Sequence, residues 1–243
     1  MDKYGLIGYP LGHSFSISYF NQRFADEGIN AKYINFEIPS IDELPVVLAK
    51  HPELKGLNVT LPHKQAVIPL LDELSDEARE IGAVNVIRVR DGKLKGFNSD
   101  IIGFTESIRP LLQPHHKKAL ILGTGGASRA IRVGLSRLGI EWTYVTRSPR
   151  EKMLAYSDLT PEVMKEYSVI VNCSPVGMFP KVDQAPAIPY ELLTPKHLLF
   201  DLVYNPEDTL FMQKGREQGA IVKNGLEMLY LQAVASWRFW NED

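Results

Sequence analysis

The chain has 243 residues, 44% hydrophobic and 23% charged, with a formal net charge of −2 at pH 7; this allows one large or two modest domains and implies no polyanion partner such as nucleic acid. Cys173 is the single cysteine, which excludes an internal disulfide and a cysteine-based zinc cluster. No apolar run approaches membrane-spanning length and the first residues read as strand, not leader, so the expected location is the cytoplasm, with no membrane partner.

Residues 4–8 make a short apolar run that predicts a buried strand. The loop 9–16 is rich in turn formers and carries two hydroxyls, Ser14 and Ser16. Ile17, Phe20 and Phe24 then repeat at helical spacing up to Gly28. A strand over 32–38 precedes Ser40 and Glu43, spaced as a capping box for a helix through Lys50. Strand, helix, strand, helix predicts a parallel sheet. Residues 55–60 form the next strand and lead into Leu61-Pro-His-Lys64. Polar side chains at the carboxyl end of such a strand face the ligand crevice, which marks Asn58, Thr60 and Lys64. Helices are expected over 65–71 and 75–81. Residues 83–90 and 93–97 flank Asp91-Gly92, a pair that favours a type I′ turn, and predict a hairpin. Phe97-Asn-Ser-Asp100 ends this region; a helix over 101–112 and a polar joint over 113–118 follow.

The stretch from Lys117 to Arg129 organises the rest. Residues 119–122 are apolar enough for a buried parallel strand, and Gly123, Gly125 and Gly126 follow at once. Ile131, Leu135 and Leu138 then mark a helix that stops at Gly139. Strand, glycine turn and helix start is the physical recipe for holding a pyrophosphate: the backbone comes close, and the helix N-terminus offers N–H groups and a positive dipole end. Ser128 stands where the fingerprint has Gly or Ala, still a small residue. The strand over 142–146 ends in Thr146-Arg147-Ser148 instead of an acid. A carboxylate there would bind ribose hydroxyls; an arginine suits a 2′-phosphate, which points to NADP over NAD. The plainer alternative is a glycine turn that only closes a strand–helix corner.

A helix near 161–167 and a strand over 169–173 come next, then strands over 197–203 and 220–223 around a helix over 209–218. The last helix spans 225–240 with Leu226, Leu229, Tyr230, Ala233 and Trp237 on one side. The fold class expected is thus α/β with two domains: an open, mostly parallel substrate domain of residues 1–102 plus 225–243, and a Rossmann-type domain of residues 103–224. The last helix is expected to return to the first domain.

In order and along nearly its whole length, the chain resembles the shikimate dehydrogenase family. The matching blocks are Gly8-Tyr-Pro-Leu-Gly-His-Ser-Phe-Ser16, Gly56-Leu-Asn-Val-Thr-Leu-Pro-His-Lys64, Gly82-Ala-Val-Asn85, Gly96-Phe-Asn-Ser-Asp100, Gly123-Thr-Gly-Gly-Ala-Ser-Arg129, Thr146-Arg-Ser148, Asn172-Cys-Ser-Pro-Val-Gly177, Asp201-Leu-Val-Tyr-Asn-Pro206 and Gly225-Leu-Glu-Met-Leu-Tyr-Leu-Gln232. Ile17, where the family more often has proline, and Ser99, where it has threonine, depart from the pattern. The resemblance implies NADPH-dependent reduction of 3-dehydroshikimate to shikimate, with the substrate in a cleft between two α/β domains. Residue by residue it implies that Ser14 and Ser16 hold the substrate carboxylate, that Asn58, Thr60, Asn85 and Gln232 bond its carboxylate or hydroxyls, and that Tyr204 closes on it. Lys64 and Asp100 are the implied catalytic pair, with the formal acid left open between them. Gly123, Gly125, Gly126 and Ala127 would cradle the pyrophosphate, Arg147 and Ser148 the 2′-phosphate, and Ser174, Leu202 and Gly225 the nicotinamide.

An ammonium such as Lys64 suits this chemistry, because a ketone accepting hydride develops alkoxide charge. No metal is needed. His13 and His63 are read as structural or exposed, Cys173 as a small buried side chain, Tyr230 and Trp237 as core, and Arg150 as an exposed arginine. The small-molecule substrate is the expected partner, and a homodimer is an open expectation. The alternatives are a quinate/shikimate dehydrogenase that uses NAD, against which Arg147 speaks, and a non-catalytic dinucleotide-binding module, against which the Lys64 and Asp100 pair speaks.

Overall fold

In a computed structural model that describes residues 1–12 and 14–242, the chain divides into two units, Met1–Ser99 with Ala233–Asp243, and Asp100–Gln232. The first unit runs through β1 (Asp2–Gly8), α1 (Phe15–Asp26), β2 (Ala31–Glu37), α2 (Leu44–Lys50), β3 (Leu54–Val59), α3 (His63–Ala66), β4 (Glu73–Leu74), α4 (Asp76–Ile81), β5 (Val86–Arg90) and β6 (Lys93–Phe97). Its six strands lie in the order β2-β1-β3-β5-β6-β4. β1 pairs in parallel with both β2 and β3, and β5 and β6 add an antiparallel hairpin beside β3. Asp91 and Gly92 turn that hairpin with φ of 51° and 74°, the left-handed pair that Asp-Gly favours. Ser40 and Glu43 form the expected capping box, although the first turn behind it is 3-10.

The second unit contains α5 (Asp100–Ile108), β7 (Lys118–Leu122), α6 (Gly126–Arg137), β8 (Glu141–Thr146), β9 (Leu154–Ala155), α7 (Pro161–Glu166), β10 (Val169–Asn172), β11 (Leu198–Asp201), α8 (Leu210–Glu217), β12 (Ile221–Lys223) and the start of α9 (Leu226–Asn241), whose residues from Ala233 belong to the first unit. The sheet order is β12-β11-β10-β7-β8-β9 with every pair parallel. Counting these strands from β7 as first, the order is 6-5-4-1-2-3, that of a doubly wound dinucleotide-binding sheet, and the chain reverses direction of travel between β7 and β10. β10 and β11 are buried at every residue, as strands covered on both faces must be.

Each sheet is sandwiched by apolar side chains. In the first unit Ile7, Leu57 and Ile87 lie in the cluster on one face, while Tyr4, Phe20, Tyr33 and Trp240 fill the other. In the second, Ile121, Val171 and Phe200 pack with Phe104 and Ile131, and Leu120, Ile170 and Leu199 with Met164 and Phe211. The departures from sequence expectation have local causes. The helix expected over 65–71 is α3 followed by a 3-10 turn, Ile68–Leu70, because Pro69 has no N–H to continue the ladder. Pro110 likewise converts the end of the 101–112 helix into a 3-10 turn. Tyr230, expected in the core, is 45% exposed; Trp237 does pack on Tyr4 and Phe24.

Candidate active site

In the first unit the candidate polar residues gather at the carboxyl ends of β1 and β3. Ser14 is the N-cap of α1 in extended backbone, and its side chain makes no capping bond. Thr60 continues β3: its N–H donates to the Ile7 carbonyl at 2.9 Å, and its carbonyl accepts from His63 N at 2.9 Å, which turns the chain into α3. Lys64 follows in α3, half-buried, with its carbonyl accepting from Val84 N at 2.7 Å.

Asn58 and Asn85 are 6% and 3% exposed, so their amides must be satisfied internally. The Tyr33 hydroxyl donates to Asn58 Oδ1 at 2.8 Å, and Asn58 Nδ2 donates to Ser236 Oγ at 3.0 Å and to the Asn85 carbonyl at 3.3 Å. Asn85 Nδ2 donates to Ser99 Oγ at 3.0 Å and its Oδ1 accepts from Ser99 N at 2.7 Å. Ser99 and Ser236 hydroxyls meet at 3.1 Å. Tyr33 also shares a hydrogen bond with the Ser16 side chain. Burial pushes the Tyr33 phenol well above its ordinary range, so it is a neutral donor. Ser16, Asn58 and Asn85 are thus joined by Tyr33 and Ser236, which carried no sequence signal for a site, and by Ser99, which stands in the matching block that ends in Asp100. His63 is structural: it is buried and its Nε2–H donates to the Ile38 carbonyl at 2.7 Å. His13 lies outside the described residues.

In the second unit, Gly123 leaves β7 with φ of 100°, a left-handed conformation that favours glycine. A Cβ there would stand 3.5 Å from Ser174 Cβ, so the loops after β7 and β10 touch at the switch point. Gly125 is the N-cap of α6, without a side chain to occupy the N-terminus, and nothing lies within 4 Å of where its Cβ would be. Gly126 and Ala127 open the helix. Ser128 is buried and turns its hydroxyl back to the Gly125 carbonyl at 2.6 Å. The open cradle at the head of a twelve-residue helix fits a pyrophosphate. Arg147 and Ser148, both exposed, follow β8. Gly225 packs against the chain after β11, where a Cβ would be 2.3 Å from the Leu202 carbonyl oxygen.

Behind these loops is a buried polar knot whose members Asn172 and Asp201 stand in matching blocks but have no role assigned from the sequence. Asp201, the last residue of β11, is 0% exposed. Its Oδ1 accepts from Asn172 Nδ2 at 2.9 Å and Val203 N at 3.0 Å, and its Oδ2 from Thr209 Oγ1 at 2.7 Å. Asn172 Oδ1 in turn accepts from Ser174 N at 3.0 Å and Ser174 Oγ at 2.7 Å. Burial raises the Asp201 carboxyl to about 6, partly countered by its hydrogen bonds. Cys173, expected to be buried, is half-buried as a residue, and desolvation pushes its thiol up, which makes it a poor nucleophile.

Of the remaining candidates, Asp100 is the first residue of α5 and is 8% exposed, Gln232 donates its side-chain amide to the Leu229 carbonyl at 2.8 Å, and Tyr204 is 39% exposed. Among the described residues, no group of three His, Cys, Asp or Glu could hold a metal ion.

The family model described as the shikimate dehydrogenase substrate binding domain matches residues 6–87. A shikimate dehydrogenase (NADP(+)) of Desulforamulus reducens is 38% identical over 257 residues, covering 97% of this chain and 88% of its own. The crystal structure of shikimate 5-dehydrogenase from Thermus thermophilus, in complex with NADP(H) and shikimate, is 32% identical with a TM-score of 0.87, covering 99% of this chain and 94% of its own. A ligand-free 5-ketofructose reductase of Gluconobacter sp. strain CHM43 is also similar, at 29% identity and a TM-score of 0.85 over 100% of this chain and 92% of its own.

Proposed function

The chain belongs to the shikimate dehydrogenase family, and we propose that it performs the family reaction with Lys64 and Asp100 as its catalytic pair. The reaction is the reversible, NADPH-dependent reduction of 3-dehydroshikimate to shikimate, and the chain is an NADP-dependent oxidoreductase. The fold alone does not choose the ketone, since a 5-ketofructose reductase shares it.

The observation that carries the residue assignment is the carboxyl end of β3. Asn58, Thr60 and Lys64 leave it in succession, and Asn58 is pinned to Asn85 through Ser236 and Ser99. In this reading Ser14 and Ser16 donate to the substrate carboxylate, which separates 3-dehydroshikimate from an uncharged ketose. Asn58, Thr60, Asn85 and Gln232 hold its carboxylate or ring hydroxyls, and Tyr204 covers it. Bound NADPH supplies the hydride. Lys64 stabilises the charge that develops on the ketone oxygen and supplies a proton there, and Asp100 serves as the second member of the relay. The glycine cradle from Gly123 to Ala127 holds the pyrophosphate, Arg147 and Ser148 the 2′-phosphate, and Ser174, Leu202 and Gly225 the nicotinamide side. We assign residues 1–102 with 225–243 to the substrate-binding domain and residues 103–224 to the NADP-binding domain.

The cytoplasm is the proposed location, supported by a chain whose one cysteine asks for no oxidising compartment. Among the described residues no helix is long and apolar enough to cross a membrane. A homodimer is the proposed assembly, which light scattering would test.

The decisive assay follows the reduced-nicotinamide absorbance with shikimate or quinate, each with NADP or NAD. Turnover of shikimate with NADP, reduced about 10²- to 10⁴-fold in Lys64→Ala, is expected. Unchanged turnover in that variant would remove Lys64 from the chemistry. Preference for quinate or NAD would favour the alternative variety.

A further inference from the structure

An ionised carboxylate accepts hydrogen bonds and cannot donate them. Asp201 therefore dictates which way the neighbouring amide turns: Asn172 must offer Nδ2 to it, at 2.9 Å. With Nδ2 committed, Oδ1 faces Ser174 and accepts both its N–H and its hydroxyl. The opposite flip would set two acceptors against each other and leave Ser174 N without that partner. The hydroxyl proton of Ser174 is consequently spent inside the protein. What Ser174 Oγ has left for a ligand is acceptor capacity, shared with a long contact from Val176 N at 3.4 Å.

We propose that Asp201 is a positioning residue for the nicotinamide half of the cofactor, acting through Asn172 to keep Ser174 an acceptor. The inference rests on the reading that Ser174 lines the nicotinamide. A carboxamide presents both an NH2 donor and a carbonyl acceptor, and an acceptor-only serine selects the NH2. The ring is thereby given one rotamer of its amide group.

Two further observations support an assigned task for this carboxylate. All three of its partners are neutral donors, Asn172, Val203 and Thr209. A buried charge matched in this way is costly compared with a neutral side chain, and such costs collect at functional positions. The same carboxylate also bends the chain after β11 through Val203 N, whose carbonyl accepts from Gly225 N at 3.2 Å. It thus ties together the loops that carry Ser174, Leu202 and Gly225.

The test compares binding of NADPH with binding of 2′-phospho-ADP-ribose, which keeps the phosphates and adenine but has no nicotinamide, by calorimetry on the full-length protein. Asn172→Leu cuts the relay and leaves Asp201 its other two donors; Asp201→Asn can keep an acceptor at the Oδ1 position. Asn172→Leu is expected to weaken NADPH about three- to tenfold, the size of one hydrogen bond, and to leave 2′-phospho-ADP-ribose unchanged. Asp201→Asn should restore most of the affinity that Asp201→Ala loses. In a Ser174→Ala background, Asn172→Leu should have little further effect on NADPH. Equal loss of both ligands would overturn the proposal and leave Asp201 a structural residue. So would an Asn172→Leu effect that persists without Ser174. If Ser174→Ala alone left NADPH affinity and turnover intact, the reading of Ser174 would fail first.

Discussion

The hydroxyl of Tyr33 donates to Oδ1 of Asn58 across 2.8 Å of buried space, while the same hydroxyl shares a hydrogen bond with Ser16. One β2 side chain therefore braces two residues proposed to hold the substrate. Tyr33→Phe keeps the ring, which stacks on Phe20 at 4.9 Å, and removes only the oxygen. Leaving a buried acceptor without its donor costs about 1–3 kcal/mol. The expected result is a KM for shikimate raised several-fold with kcat changed less, together with a lower urea midpoint. Steady-state kinetics with an unaltered KM would show that Asn58 holds its orientation without Tyr33.

Arg147 and Ser148 stand exposed after β8, where a ribose-binding acid would otherwise be. An arginine at this place suits a 2′-phosphate, the role proposed for it. Arg147→Gln should lower kcat/KM for NADP about 10- to 100-fold, the range of a charge-assisted hydrogen bond. With NAD the same ratio should stay nearly constant. The ratio of the two, measured in one buffer because salt screens this contact, decides whether Arg147 selects the cofactor.

Much of this was legible before the structure. Ala119 to Gly126 announced its strand, turn and helix because a parallel strand must be apolar throughout and a phosphate cradle must lack side chains. Asp91-Gly92 set its hairpin by backbone preference alone. β4 and β9 were illegible because two residues carry no periodicity. The role of Asp201 was hidden for a different reason. Its partners are 29 residues away in Asn172 and eight in Thr209, a contact set created by strand order, which no local pattern contains. Tyr33 and Ser236 were missed likewise: one looks like a core aromatic, the other like a helix-surface serine.

Gly56 shows where close packing leaves no latitude. A Cβ there would lie 2.3 Å from Cδ1 and Nε1 of Trp240, whose indole N–H donates to the Ile87 carbonyl at 3.1 Å. The ring cannot retreat without breaking that bond and its contacts with Tyr4 and Phe20. Gly56→Ala should therefore destabilise by about 1–3 kcal/mol or more. Equilibrium urea unfolding measures it, and an unchanged midpoint would mean that Trp240 has another rotamer open to it.

His116 should make stability depend on pH at the polar joint before β7. The ring is 3% exposed; its Nδ1 accepts from Gln113 N at 2.9 Å, so the neutral form carries its proton on Nε2, which meets the Lys196 carbonyl at 3.1 Å. Protonating Nδ1 would cost the Gln113 bond. Burial, and then the neighbouring His115 and His197, hold the His116 pKa below the ordinary histidine value, against the Lys196 carbonyl, which acts the other way. In the window between the depressed folded value and the ordinary unfolded one, the unfolded chain binds more protons, so stability rises with pH. The contribution is fully present above the unfolded pKa and is lost as pH falls through the folded one. His116→Asn can keep an acceptor for Gln113 N and cannot titrate. Urea unfolding from about pH 7 down to about pH 5 should show the unaltered chain losing more stability than the variant; Asp201, whose carboxyl burial raises to about 6, acts in the opposite direction and equally in both. Parallel curves would assign the fall to other groups.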